Sequence, residues 1–258
     1  MRNYTIVLIA AFTLSLTASA QTADELVQKN IEAKGGIEKM KAIKTVRLTG
    51  KLDGGGGFTA VVGQENKRPN QVRETLILQG MTQVQAFDGS TAWEIRPFGG
   101  RKDPQLMGDD DVRDLLIDSD LDGPLVDYKA KGHQVEYLGH DVVDGDDALR
   151  LKVTLKNGDI IYYYLDPDTF LEIRTERREF VRGAVHDSVA DLGSYKPVAG
   201  VMFPFSVNGG PKDDPTQWQS VTYEKIEANL PLQDSDFAVP VSLKPASLKE
   251  TNKDAASK

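Results

Sequence analysis

The stretch Leu149-Arg150-Leu151-Lys152-Val153-Thr154-Leu155-Lys156-Asn157-Gly158 decides the fold class. Apolar and polar residues alternate through it without a break, and it ends on an Asn-Gly pair. Successive side chains of a strand point to opposite faces, so this pattern describes a strand with one buried and one wet face. Asn-Gly favours the positive φ angles of a tight hairpin, so the next strand should return antiparallel.

The same period of two recurs on both sides. Val46, Leu48 and Leu52 alternate with Arg47, Thr49 and Lys51, and Leu171 and Ile173 repeat the pattern. Val201, Phe203, Phe205 and Val207 form another such run. Between the runs stand Gly54 to Gly57, Gln79-Gly80, Asp88-Gly89, Asp144-Gly145 and Asp166-Pro167-Asp168, each a turn signal. Counting runs predicts about eleven or twelve antiparallel strands. Two helical segments precede them. Thr22 and Glu25 have capping-box spacing ahead of Leu26, Val27 and Ile31, and Gly35-Gly36 provides a stop. A second turn with Ile37, Met40 and Ile43 leads into the sheet.

Residues 98–133 break the rhythm with Gly99-Gly100, Pro104, an acidic helix-like stretch from Asp109 to Leu121, and Gly123-Pro124. An inserted helix between strands is a natural lid. The fold expected is therefore mainly β, a half-open antiparallel β-barrel of about 11 strands, with an N-terminal helix and an inserted lid helix. A barrel this wide tends to leave room for a ligand, although a fully packed β domain stays open as an alternative on architecture alone.

The N-terminus sets the expected compartment. Arg2, the apolar run Ile6 to Leu16 and Ala18-Ser19-Ala20 follow the order of a cleavable secretory signal peptide over residues 1–20. The domain then spans residues 21–240, and the Lys-, Ser- and Ala-rich stretch 241–258 is expected to be a disordered polar tail. With no cysteine, neither disulfides nor N-terminal acylation of the processed chain is available. The formal net charge is −8, and removing Arg2 makes it one unit more negative. Phosphate-backbone recognition needs clustered Lys and Arg, so nucleic acid is excluded as a partner.

Catalytic signatures are missing. The chain contains no G-x-S-x-G, no H-E-x-x-H and no glycine-rich phosphate loop opening a helix. His133, His140 and His186 lack metal-like spacing. Asp118-Ser119-Asp120-Leu121-Asp122-Gly123 matches the opening of a calcium loop. The twelfth position is Lys129 rather than glutamate and Pro124 follows the glycine, so it reads as an acidic helix end. No enzyme activity, metal or cofactor is expected.

Four motifs carry a family resemblance. They are Lys67-Arg68-Pro69-Asn70; Phe87 to Trp93 running into Glu94-Ile95-Arg96-Pro97-Phe98; Tyr162 to Asp166 with Leu171-Glu172-Ile173; and Ile226 to Leu232 followed by Phe237 and Pro240. In this order, over roughly residues 22–240, the chain resembles the periplasmic outer-membrane lipoprotein-sorting carriers of the LolA and LolB type. The resemblance implies a monomeric periplasmic carrier whose apolar cavity receives the acyl chains of a lipoprotein or lipid and moves them toward the outer membrane. A membrane-bound donor or acceptor protein would be its handover partner, and Arg68 would hold the lid closed through hydrogen bonds. The alternative is a non-transport lipid-sensing or protein-binding module of the same fold. Insertion 98–133 and the tail make this chain longer than the simplest carriers. Candidate cavity-lining residues, chosen for inward alternation, are Leu48, Val84, Trp93, Ile95, Phe203 and Phe205.

Overall fold

A computed structural model describes residues 22–181 and 183–243. The expected signal peptide and residues 244–258 of the expected tail lie outside them.

Helix α1 (Ala23–Ala33) begins as the capping box requires: Thr22 Oγ1 accepts from the Glu25 amide and Glu25 Oε2 accepts from the Thr22 amide. Its buried face carries Leu26, Val27 and Ile31, and buried Asn30 donates to the Phe170 carbonyl. Gly35 ends it at a φ of +116°, where a Cβ would sit 2.2 Å from the Gly200 carbonyl oxygen. Only glycine fits there. In α2 (Ile37–Ala42), Met40 is buried whereas Ile37 is exposed.

The strands follow as β1 (Thr45–Asp53), β2 (Thr59–Lys67), β3 (Gln71–Leu78), β4 (Met81–Phe87), β5 (Ala92–Arg96) and β6 (Arg101–Leu106). Helix α3 (Arg113–Ser119) then precedes β7 (Gln134–Val143), β8 (Asp146–Thr154), β9 (Ile160–Leu165), β10 (Glu172–Val181) and β11 (Ala184–Gly193). A small hairpin of β12 (Lys196–Val198) and β13 (Val201–Phe203) leads to β14 (Ser206–Pro211) and β15 (Gln219–Ala228). Every turn signal read from the sequence separates two antiparallel strands.

Thirteen strands form one antiparallel sheet, ordered β6-β5-β4-β3-β2-β1-β15-β14-β11-β10-β9-β8-β7. Its edges, β6 and β7, do not pair, so the barrel is half-open. These edges are consecutive in the chain, so the connection between them has to cross the mouth, and α3 lies in it. Leu115 of α3 packs on Val72, Phe87 and Ala92 of the first half of the sheet. Leu125 and Val126, farther along, enter the main core with Leu149, Leu151, Val153 and Ile161 of the second half.

The structure corrects several expectations. There are fifteen strands among the described residues rather than eleven or twelve. Strand β6 lies inside the stretch read as an insertion, and its Pro104 is tolerated because it is an edge strand. The run from Val201 to Val207 is divided between β13 and β14, which belong to different sheets. Helix α3 is shorter than the acidic stretch around it. Val241–Leu243 forms a 3-10 turn, with Leu243 packed beside Trp93.

Leu151 is fully buried in the main core, whereas Val142 on edge strand β7 is 65% exposed. Leu151→Ala should lower unfolding free energy by about 2–5 kcal/mol, and Val142→Ala by under about 0.5 kcal/mol, in urea titrations.

Candidate functional site

The register defines what lines the concave face. Leu48 of β1 pairs with Gln64 of β2, which pairs with Glu74, then Gln85, then Glu94 of β5. These five share one face, and Val72, Phe87 and Ala92 beneath α3 lie on the same side. In the second half, Thr175 and Arg177 of β10 pair with Tyr163 and Ile161 of β9, which face the core. The concave face is thus apolar near the helices and polar toward the other end.

A groove runs between this face and the lid. Its largest part, about 650 Å³, is lined by Gln64, Glu74, Gln85, Asp114, Asp118, Thr175, Arg177 and Tyr223, among others. An adjoining part of about 270 Å³ reaches Val46, Leu48, Ile117, Leu121, Tyr163 and Phe203. A third, about 320 Å³, lies beside α2 and the β12–β13 hairpin, between Met40, Tyr163, Tyr195 and Phe203. The three share Asp118 and Arg177 or neighbours of them, and the largest lies within the roughly 300–1,000 Å³ usual for ligand sites.

Arg68, just past the end of β2, bridges α2 and the segment that crosses the mouth. Its Nη1 and Nη2 donate to Asp122 Oδ2 and Oδ1 at 2.8 and 2.5 Å. Its Nε donates to the Ile43 carbonyl and its Nη2 to the Met40 carbonyl, placing a positive charge at the C-terminal end of α2. Lys41 also donates to Asp122, at 2.6 Å, and to Asp127. Burial pushes the Asp122 carboxyl up, but hydrogen bonds from Arg68 and Lys41, with their charges, outweigh it and hold the group at about 2. Arg113 pairs with Asp159, Lys131 with Asp120, and Arg177 with both Asp114 and Asp118 of α3. The carboxylates of the calcium-like run therefore diverge to different cations. No three His, Asp or Glu side chains among the described residues converge closely enough to hold a metal ion.

The six candidate lining residues divide between the two faces. Leu48, Phe203 and Phe205 pack against the main core, and Leu48 and Phe203 line the groove. Val84, Trp93 and Ile95 have the opposite parity and form a separate cluster with Ala86, Val239 and Leu243. Trp93 Nε1 donates to the Phe237 carbonyl at 3.0 Å, so the C-terminal segment covers this outer patch. Two-sided burial makes inward and outward positions indistinguishable by alternation. Glu74, Asp118, Tyr163, Arg177 and Tyr223 were missed as groove residues. The available signal was polarity on the expected inward row: Glu74 interrupts Val72, Leu76 and Leu78, and Thr175, Arg177 and Glu179 are all polar.

No family model and no curated protein matches the chain. Solved structures do. A LolA superfamily protein from Nitrosomonas europaea is 13% identical with a TM-score of 0.57, over 85% of this chain and 99% of that one. A DUF1329 family protein from Desulfovibrio piger is 11% identical with a TM-score of 0.56, over 84% and 97%. A putative outer membrane lipoprotein-sorting protein domain from Vibrio parahaemolyticus is 13% identical with a TM-score of 0.55, over 83% and 94%. At these identities the likeness concerns the fold, which this chain shares with them.

The Asp122 carboxyl is held below its ordinary value of 3.8, so its contribution to stability is present above that value and lost as pH falls through about 2. By linkage this contribution amounts to about 2 kcal/mol. Denaturant titrations between about pH 5 and pH 2 should show the wild type losing about 2 kcal/mol more than Asp122→Asn. Equal losses in the two proteins would remove the ion pair from the account of the lid.

Proposed function

We propose that this protein is an exported carrier that binds the acyl chains of a lipid or lipoprotein in the groove beneath its lid. The observation that carries the reading is the groove itself. Leu48, Ile117, Leu121, Tyr163 and Phe203 line an unfilled apolar stretch between a half-open sheet and a connection that need not be permanently closed. The fold shared with a lipoprotein-sorting domain supports the same reading, as does the signal-peptide pattern of residues 1–20. No helix among the described residues is long and apolar enough to cross a membrane.

The chemistry is binding and release. Each methylene buried contributes roughly 0.8 kcal/mol, so a chain only partly enclosed is held usefully. Release has to compete with that energy, which requires a cover of adjustable stability. The stretch of the lid around α3 is suited to this because its ties to Arg177, from Asp114 and Asp118, are partly exposed, whereas Leu125 and Val126 anchor the far end of the segment in the core. In this reading Arg68 is the latch: it joins the end of α2, the lid carboxylate of Asp122 and the rim of β2 in one hydrogen-bonded node.

Uptake of a fluorescent fatty-acyl probe tests the proposal, with native mass spectrometry of protein purified without detergent. Phe203→Asp should weaken uptake by about tenfold or more, because it places a charge where the chain would lie. Trp93→Phe, on the opposite face, should leave affinity within about threefold. A wild-type protein that neither co-purifies with lipid nor takes up the probe would overturn the carrier reading.

A further inference from the structure

An acyl chain accounts for the apolar stretch of the groove but not for its largest part. There the sheet and the lid present three carboxyl groups, Glu74, Asp114 and Asp118, against a single guanidinium, that of Arg177. Arg177 is already engaged, donating to Asp114 at 2.9 Å and to Asp118 at 3.1 Å. Glu74 has no hydrogen-bond or ion-pair partner among the described residues, and its half-buried side chain borders the cavity. Glu179 likewise has a buried carboxyl oxygen, Oε1, without a hydrogen-bond partner. Enclosed polar groups are normally satisfied, so a carboxyl left open toward a cavity indicates a partner that enters from outside.

We propose that the occupant of the groove is an amphiphile with a cationic head, an ammonium or guanidinium group, seated against Glu74 and Asp118 with its chain along Leu48, Tyr163 and Phe203. The inference rests on the carrier reading and names its ligand class. An anionic head would meet an excess of carboxyls and a guanidinium that is already paired. A metal ion would need a convergent set of ligands, which the described residues do not form. An organic cation needs neither, because its charge is spread over a group large enough to reach separated oxygens.

The proposal has a proton signature. Burial pushes the Glu74 carboxyl up to about 8, with the charges of Asp118 and Asp114 adding to this and Arg177 opposing it. Burial and Asp114 similarly push Glu179 up to about 7. The groups facing Glu74 are Asp114 and Asp118 from α3, Arg177 from β10, and Tyr223 from β15; Gln64 and Gln85 on the flanking strands are neutral, and Glu179 lies farther along β10 beside Asp114. A bound cation supplies the missing countercharge and favours the carboxylate, so binding near neutral pH releases protons and tightens as pH rises.

The test is competition by dodecyltrimethylammonium, dodecyl sulfate and dodecyl maltoside against a fluorescent acyl probe, below their micellar concentrations, on the full processed chain. The quaternary head keeps its charge at every pH, so any pH dependence of the ratio belongs to the protein. The cation should bind about tenfold or more tighter than the anion at neutral pH, with the ratio growing between about pH 6 and pH 9. Glu74→Gln, nearly isosteric, should bring the ratio to within about threefold. Asp118→Asn provides a second variant acting on the same ratio should the first alter folding. Equal or stronger binding of the anion, or a ratio unmoved by both variants, overturns the head-group assignment while acyl binding stands. Failure of all three to compete overturns the carrier reading along with it.

Discussion

The two edge strands of the main sheet are consecutive in the chain but lie at opposite ends of the strand order, and most of the architecture depends on that separation. Thirteen strands curl without closing, so β6 and β7 stay unpaired and the segment between them must cross the open mouth. A sheet of this size seldom remains open and uncovered. Covering it with a chain crossing instead of a further strand leaves space beneath. The lid is therefore a consequence of strand order, and the groove a consequence of the lid being too thin to fill it.

The two sides of the groove are held by different forces. Near α1 and α2, fully buried aliphatic side chains from the helices, β1, β8 and β9 pack into one core. Over the mouth, the lid is fastened by ion pairs, Arg68 and Lys41 on Asp122, Lys131 on Asp120, Arg113 on Asp159, and Arg177 on Asp114 and Asp118, and by the buried side chains of Leu115, Leu125 and Val126. Apolar packing cannot be loosened without exposing area to water, whereas partly exposed ion pairs contribute modestly and exchange readily with solvent. The polar end of the groove has the same origin, since the carboxylates that fasten α3 also face its interior.

Much of this organisation was legible in the residues. The capping box at Thr22 and Glu25, the stop at Gly35 and the hairpin dipeptides each specify local geometry through the backbone, and each is present in the fold. The crossing segment was recognisable because its composition departs from a period of two. Facing was harder to read. Val84 and Trp93 alternate as well as Leu48 does, but the C-terminal segment around Phe237 covers the outer patch and makes it a second core. A strand buried on both sides carries no alternation to indicate which side is inner. Glu74 and Arg177 escaped notice for the opposite reason: a charged residue on an expected inward row looks like a reversed strand until the register is known. Strand β6 was hidden by Pro104, which only an edge position accommodates.

Photo-crosslinking with an acyl chain bearing a diazirine, followed by mapping of the adducts by mass spectrometry, tests most directly whether the concave groove receives an acyl chain. Adducts concentrated on peptides containing Leu48, Tyr163 and Phe203, and lost on competition with unlabelled lipid, are the predicted result. Adducts confined to the outer patch around Val84 and Trp93, or scattered without competition, would contradict the account.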